Sequence, residues 1–179
     1  FSTRAVWFDL PDEVVHRRVA LDALKEATVG VQNMCVDLVG SIAMCDTRDI
    51  AGASIFPSSE AGYGGARIFL YDTTPHGIGL AEKVFENIEA LWNKSLRTVV
   101  ECACESGCPS CIQAGPKGRD AGFAKKHSKV VLEGILGTWM DSAGLEKASR
   151  QATLEEKGLT THPRALEEIA TAQLEAATK

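Results

Sequence analysis

Four cysteines within ten residues constrain this chain more than any other feature of it: Cys102, Cys104, Cys108 and Cys111, spaced C-x-C-x3-C-x2-C. A single tetrahedral zinc ion with Zn–S bonds of about 2.3 Å needs four sulfurs about 3.8 Å apart, and a short loop supplies them if its backbone reverses between the ligand pairs. Gly107 permits the reversal because it can adopt positive φ, and Pro109 stiffens the second half of the loop. Four thiolates fill every position, so the ion is structural, with no site left for a reacting water. An iron–sulfur cluster takes the same four ligands, and two disulfides would use the same residues. Zinc is the favoured reading of the three. The other two cysteines, Cys35 and Cys45, lie in apolar stretches and read as core residues.

Charge narrows the choice of partners. The 179 residues carry a formal net charge of −5, which argues against a wholly basic nucleic-acid binder. Positions 116–129 are the exception, with Lys117, Arg119, Lys125, Lys126 and Lys129 against Asp120 alone. On a helical wheel the last three lysines share a flank away from the apolar stripe. This set is a candidate contact for DNA phosphates, and an ordinary solvated helix face is the competing reading. No apolar run reaches the length of a membrane span and no leader is evident, so a cytoplasmic protein is expected, nucleoid-associated when at work.

Along the chain, residues 3–9, 41–46, 52–56 and 66–72 read as strands. Asp12 is placed to cap a first helix, Thr28–Val39 reads as a second with Gly40 as its stop, and 58–65 as a loop. Leu80, Val84, Phe85, Ile88, Leu91 and Trp92 fall on one helical face, as do Phe123, Val130, Val131, Ile135 and Trp139. The expected fold is α+β, a small mixed sheet packed with helices and a four-cysteine zinc loop. It divides into a zinc-binding domain over 1–140 and a helical C-terminal tail over 141–179.

Other chemistry is sparse. Gly77-Ile78-Gly79 before a helix is too short for a phosphate site, and no G-x-x-x-x-G-K-[ST] occurs. His76 and His127 have no neighbour at ligand spacing. Asp46, Arg48 and Asp49 read as an ion-paired turn, with a contact surface as the alternative. The fragment itself is therefore expected to be non-catalytic.

Four segments together carry a resemblance: Thr3–Trp7; Cys45-Asp46-Thr47-Arg48-Asp49-Ile50-Ala51-Gly52; Ile68–Asp72 with Gly77–Glu82; and the cysteine loop ending Gly107-Cys108-Pro109-Ser110-Cys111. The chain resembles the C-terminal zinc-binding domain of MrfA-type (YprA- or SftH-like) superfamily 2 DNA helicases over residues 3 to about 135. It departs from that pattern at Val29 and Asn33, where similar proteins carry paired histidines, and at the turn where His76 precedes Gly77. The resemblance implies a metal-ligand role for the four cysteines. It also implies an accessory module of an ATP-dependent 3′-to-5′ DNA helicase or translocase active in DNA repair, with single-stranded DNA as a further partner. The motor would precede Phe1 in a longer polypeptide. A purely structural or oligomerisation module without nucleic-acid contact is the alternative.

Overall fold

The computed structural model describes residues 1–56, 65–112 and 124–146, with side chains to Trp139. Strand β1 (Ala5–Asp9) is followed by a π-helical turn (Val14–Arg18), helix α1 (Leu21–Ala43), strands β2 (Ile50–Ile55) and β3 (Arg67–Asp72), and helices α2 (Leu80–Glu86), α3 (Ile88–Glu101) and α4 (Lys125–Glu146). The sheet order is β1-β3-β2 with both pairings antiparallel. The α+β class is as expected. Among the described residues, however, the sheet is three-stranded and wholly antiparallel, not mixed.

Alternation decides which face of the sheet is core. Val6, Phe8, Ile68, Leu70 and Ile50 point to the side occupied by the helices and belong to the main apolar cluster. Helix α1 crosses that side closely enough that a Cβ on Gly52 of β2 would meet Gln32 at 2.6 Å and Val36 at 3.0 Å. Gln32 is itself fixed there, its Oε1 accepting from the Ser54 hydroxyl at 2.6 Å. On the other side of α1 the chain packs α3 and α4. Ser128 of α4 donates to the Ala27 carbonyl at 3.2 Å, and the Cys35 thiol lies 3.7 Å from the Ser95 hydroxyl of α3. Covered on both sides, α1 buries the unbroken run Gly30–Cys35. The rings of Phe8, Trp92 and Trp139 meet edge to face in series, with centroids 5.2 and 5.3 Å apart, tying β1 to α3 and α4.

Three local expectations are corrected. The expected strand 41–46 is instead the end of α1, which runs on through Gly40 to Ala43 and stops at Met44 in the left-handed region (φ 55°). Gly40 suits a close approach, since a Cβ there would lie 3.0 Å from the Cys45 carbonyl, tighter than ordinary contact, as the chain doubles back. Asp12 does not cap a helix by its side chain. The Pro11 carbonyl accepts from Val14 and Val15, and the turn widens so that Val19 N–H reaches the Val14 carbonyl, burying Val14 and Val15 together. Finally, the apolar face from Leu80 to Trp92 is two helices with a break at Asn87, and Phe85 stays exposed. The loop expected at 58–65 and the tail beyond Glu146 fall almost wholly or entirely outside the described residues.

Candidate metal centre

Helix α3 delivers the first thiol. Its Leu91, Trp92, Ser95 and Val99 are buried, which fixes its axis, and Cys102 stands at its C-terminus with its N–H on the Thr98 carbonyl at 3.2 Å. The chain then leaves helical geometry. It reverses at Gly107, whose φ of 131° is the glycine-permissive conformation expected from the sequence. A second turn closes Cys108 to Cys111, with Cys111 N–H on the Cys108 carbonyl at 3.0 Å and Cys108 N–H on the Cys111 sulfur at 3.3 Å. Cys111 and Ile112 enter the core, where Cys111 keeps 2% exposure.

These folds bring the four sulfurs together. Cys102 lies 3.5 Å from both Cys104 and Cys108, Cys111 lies 3.6 Å from Cys104 and 3.7 Å from Cys108, and all four fall within 4.8 Å of one another. The edges of a ZnS4 tetrahedron are about 3.8 Å, so the donor set fits a single ion. A cluster of several irons spreads its thiolates over separate metal atoms and needs a wider cage. All six cysteines are free thiols. The N–H of Ser110, followed by the Cys102 thiol, holds the Cys108 thiol down at about 7, whereas burial pushes Cys111 up to about 12.

Residues 31–112 match the MrfA Zn-binding domain. The chain belongs to that family. A MrfA Zn-binding domain takes zinc, which the four-thiol cage fits. The chain is 32% identical over 110 residues to the ATP-dependent helicase YprA of Bacillus subtilis, and 40% over 80 residues to the ATP-dependent helicase HRQ1 of Saccharomyces cerevisiae. It spans 14% and 7% of their lengths. It is also 33% identical over 108 residues to protein MJ1572.1 of Methanocaldococcus jannaschii, where the match takes in 59% of this chain but 96% of that protein. Among solved structures, the DUF1998 helicase MrfA bound to DNA superposes with a TM-score of 0.59 at 29% identity, over 73% of this chain and 17% of that one. The same helicase with DNA and AMPPNP gives 0.54 at 29% identity, over 72% and 15%.

The remaining candidates separate. Lys117 and Arg119 lie outside the described residues. Lys126 and Lys129 are exposed on α4, Lys129 paired with Glu133 at 3.6 Å. Lys125 turns to the metal loop, its ammonium donating to the carbonyls of Cys102 at 2.6 Å and Cys104 at 2.5 Å. Cys35 is a core residue whose thiol burial pushes up to about 12, and Cys45 is partly buried against the same core. Asp46 and Arg48 form the exposed ion pair expected of the turn, at 3.0 Å, and Arg48 holds the Asp46 carboxyl down at about 2.

Sequence reasoning missed Asp72. At the end of β3 its carboxylate is fully buried and accepts four N–H groups, from Ile78 (2.6 Å), Gly79 (3.0 Å), Leu80 (3.2 Å) and Ala81 (2.8 Å). A phosphate on Gly77-Ile78-Gly79 would have to displace it. The signal was hidden because the capping residue stands eight positions before Leu80, far from the usual N-cap spacing.

Proposed function

We propose that Cys102, Cys104, Cys108 and Cys111 hold one structural zinc ion, and that the chain is the non-catalytic zinc-binding module of an ATP-dependent 3′-to-5′ DNA helicase or translocase that works in DNA repair in the cytoplasm. The four-sulfur cage carries the metal assignment. Bound zinc supplies charge and geometry that cross-link the loop, with every coordination position taken by thiolate. The helicase context is supported by the named relatives, ATP-dependent helicases of which this chain corresponds to a small part. The module stabilises the motor of the same polypeptide and helps guide single-stranded DNA, with Lys117, Arg119, Lys126 and Lys129 as the basic contacts. Among the described residues, no helix is long and apolar enough to cross a membrane.

Elemental analysis of the purified chain tests the metal. One zinc per chain, no iron and a spectrum without charge-transfer bands in the visible are expected; iron with visible absorption would overturn the assignment. In the full-length helicase, alanine at Lys117, Arg119, Lys126 and Lys129 together is expected to weaken single-stranded DNA binding and flatten its salt slope. Unchanged affinity and slope would remove the guiding role.

A second reading, a structural or oligomerisation module without nucleic-acid contact, is favoured by one observation. The match to MJ1572.1 takes in nearly all of that protein, so the domain has a relative with little room for a motor. Light scattering on the zinc-loaded chain separates the two, since a stable oligomer together with absent DNA binding supports the second.

A further inference from the structure

We propose that Lys125 is a positioning residue of the metal centre: it fixes the Cys102–Cys104 half of the loop through the backbone and offsets the charge of the tetrathiolate. This deepens the zinc reading and rests on it.

Geometry is the first support. The two halves of the loop are held differently. Cys111 is sunk in the core with Ile112, and the turn from Cys108 is closed by its own hydrogen bonds. By contrast, Cys102 is held only by the end of α3 and Cys104 only rests against the edge of the core, and no residue from 102 to 110 is buried. Lys125 supplies the anchor there. Its ammonium bridges the Cys102 and Cys104 carbonyls at 2.6 and 2.5 Å, and its own N–H donates to the Ser106 carbonyl at 3.0 Å. Three contacts from the first residue of α4 thus span the segment that presents two of the four sulfurs.

Charge is the second support. Helix α4 opens Lys125-Lys126-His127 and has no acid in its first turn. Cations at the positive end of a helix dipole are unfavourable in isolation. A zinc ion with four thiolates carries a formal charge of −2, and beside it the same arrangement becomes favourable. The Lys125 ammonium itself lies on the loop, on the carbonyls of two of the four cysteines, which puts its charge beside the centre. The assignment takes Lys125 out of the set of DNA contacts.

The test uses the whole zinc-loaded chain with Lys125→Met, Lys125→Arg and, as a surface-charge control, Lys129→Met. The readouts are zinc affinity by chelator competition and the rate of zinc release to a chromogenic chelator. Loss of an outer-shell partner typically weakens metal binding by about 10–100-fold, and K125M is expected in that range. K129M should stay within about twofold of the native chain, and K125R, which keeps charge and donors, should recover most of the loss. With zinc in excess, the far-ultraviolet circular dichroism of K125M should equal that of the native chain, which separates ligand positioning from folding. Should K125M not fold even in excess zinc, K125Q decides by the same comparison. Zinc affinity of the neutral variant within twofold of native, or an equal loss in K129M, overturns the assignment while leaving the zinc site standing. A native chain without zinc overturns both.

Discussion

Replacing Asp72 by alanine removes the acceptor of four backbone N–H groups at the start of α2. Two of them, on Ile78 and Gly79, are part-buried and can turn to water. The other two, on Leu80 and Ala81, are buried and are left without a partner. An orphaned buried donor costs about 1–3 kcal/mol, so the expected loss is about 2–6 kcal/mol, centred near 4. A whole domain has about 5–15 kcal/mol of stability, and D72A should therefore consume a large share of it. For a chain of this size the melting temperature should fall by about 8–16 °C. Asp72→Asn keeps one carbonyl oxygen but turns an NH2 group toward at least one of the N–H donors, and should cost about half as much. Urea unfolding of the zinc-loaded chain, followed by the fluorescence of Trp92 and Trp139, measures both variants. If D72A lay within about 1 kcal/mol of the native chain at an unchanged m-value, the clamp would be an ornament of the turn and the reasoning wrong.

Packing, metal and thiol chemistry supply three further expectations. A Cβ on Gly134 would lie 2.1 Å from Val14 Cγ2, so G134A should lose about 1–3 kcal/mol in urea unfolding; V14A added to it should recover part of that loss, and additive losses would refute the contact. Stripping zinc with a chelator should make Cys102, Cys104 and Cys108 react with a thiol reagent that the loaded protein resists; equal thiol counts before and after would contradict the cage. Cys35, pushed up to about 12 from 9.0 by burial, should be thiolate in only about one molecule in 10⁴ at pH 8, and so escape alkylation until the chain is unfolded. Because the folded state holds that thiol neutral, raising the pH from 9 toward 12 should cost stability, by up to about 1.4 kcal/mol per pH unit from this group. Rapid Cys35 labelling of the folded chain at pH 8 would show that it is not sealed.

The metal cage was legible in the sequence because its information is local. Ten residues contain all four donors, a glycine at the reversal and a proline in the closing turn, and thiolate chemistry then leaves few alternatives. Strand β3 and the apolar faces of α3 and α4 were legible for a similar reason, each being a periodic pattern within one segment. What the tertiary structure alone decided is whatever depends on a partner that no local spacing rule points to. Ile42 opens a short apolar run that reads as a strand, yet residues 41–43 continue α1, because the helix is covered on both sides and its end is met by Lys83 on the Ala43 carbonyl. Asp72 became a clamp only when β3 delivered it beneath the turn before α2. Lys125, indistinguishable in sequence from its basic neighbours, was turned away from solvent by the one thing no local pattern encodes, the position at which α4 meets the loop that α3 had already placed.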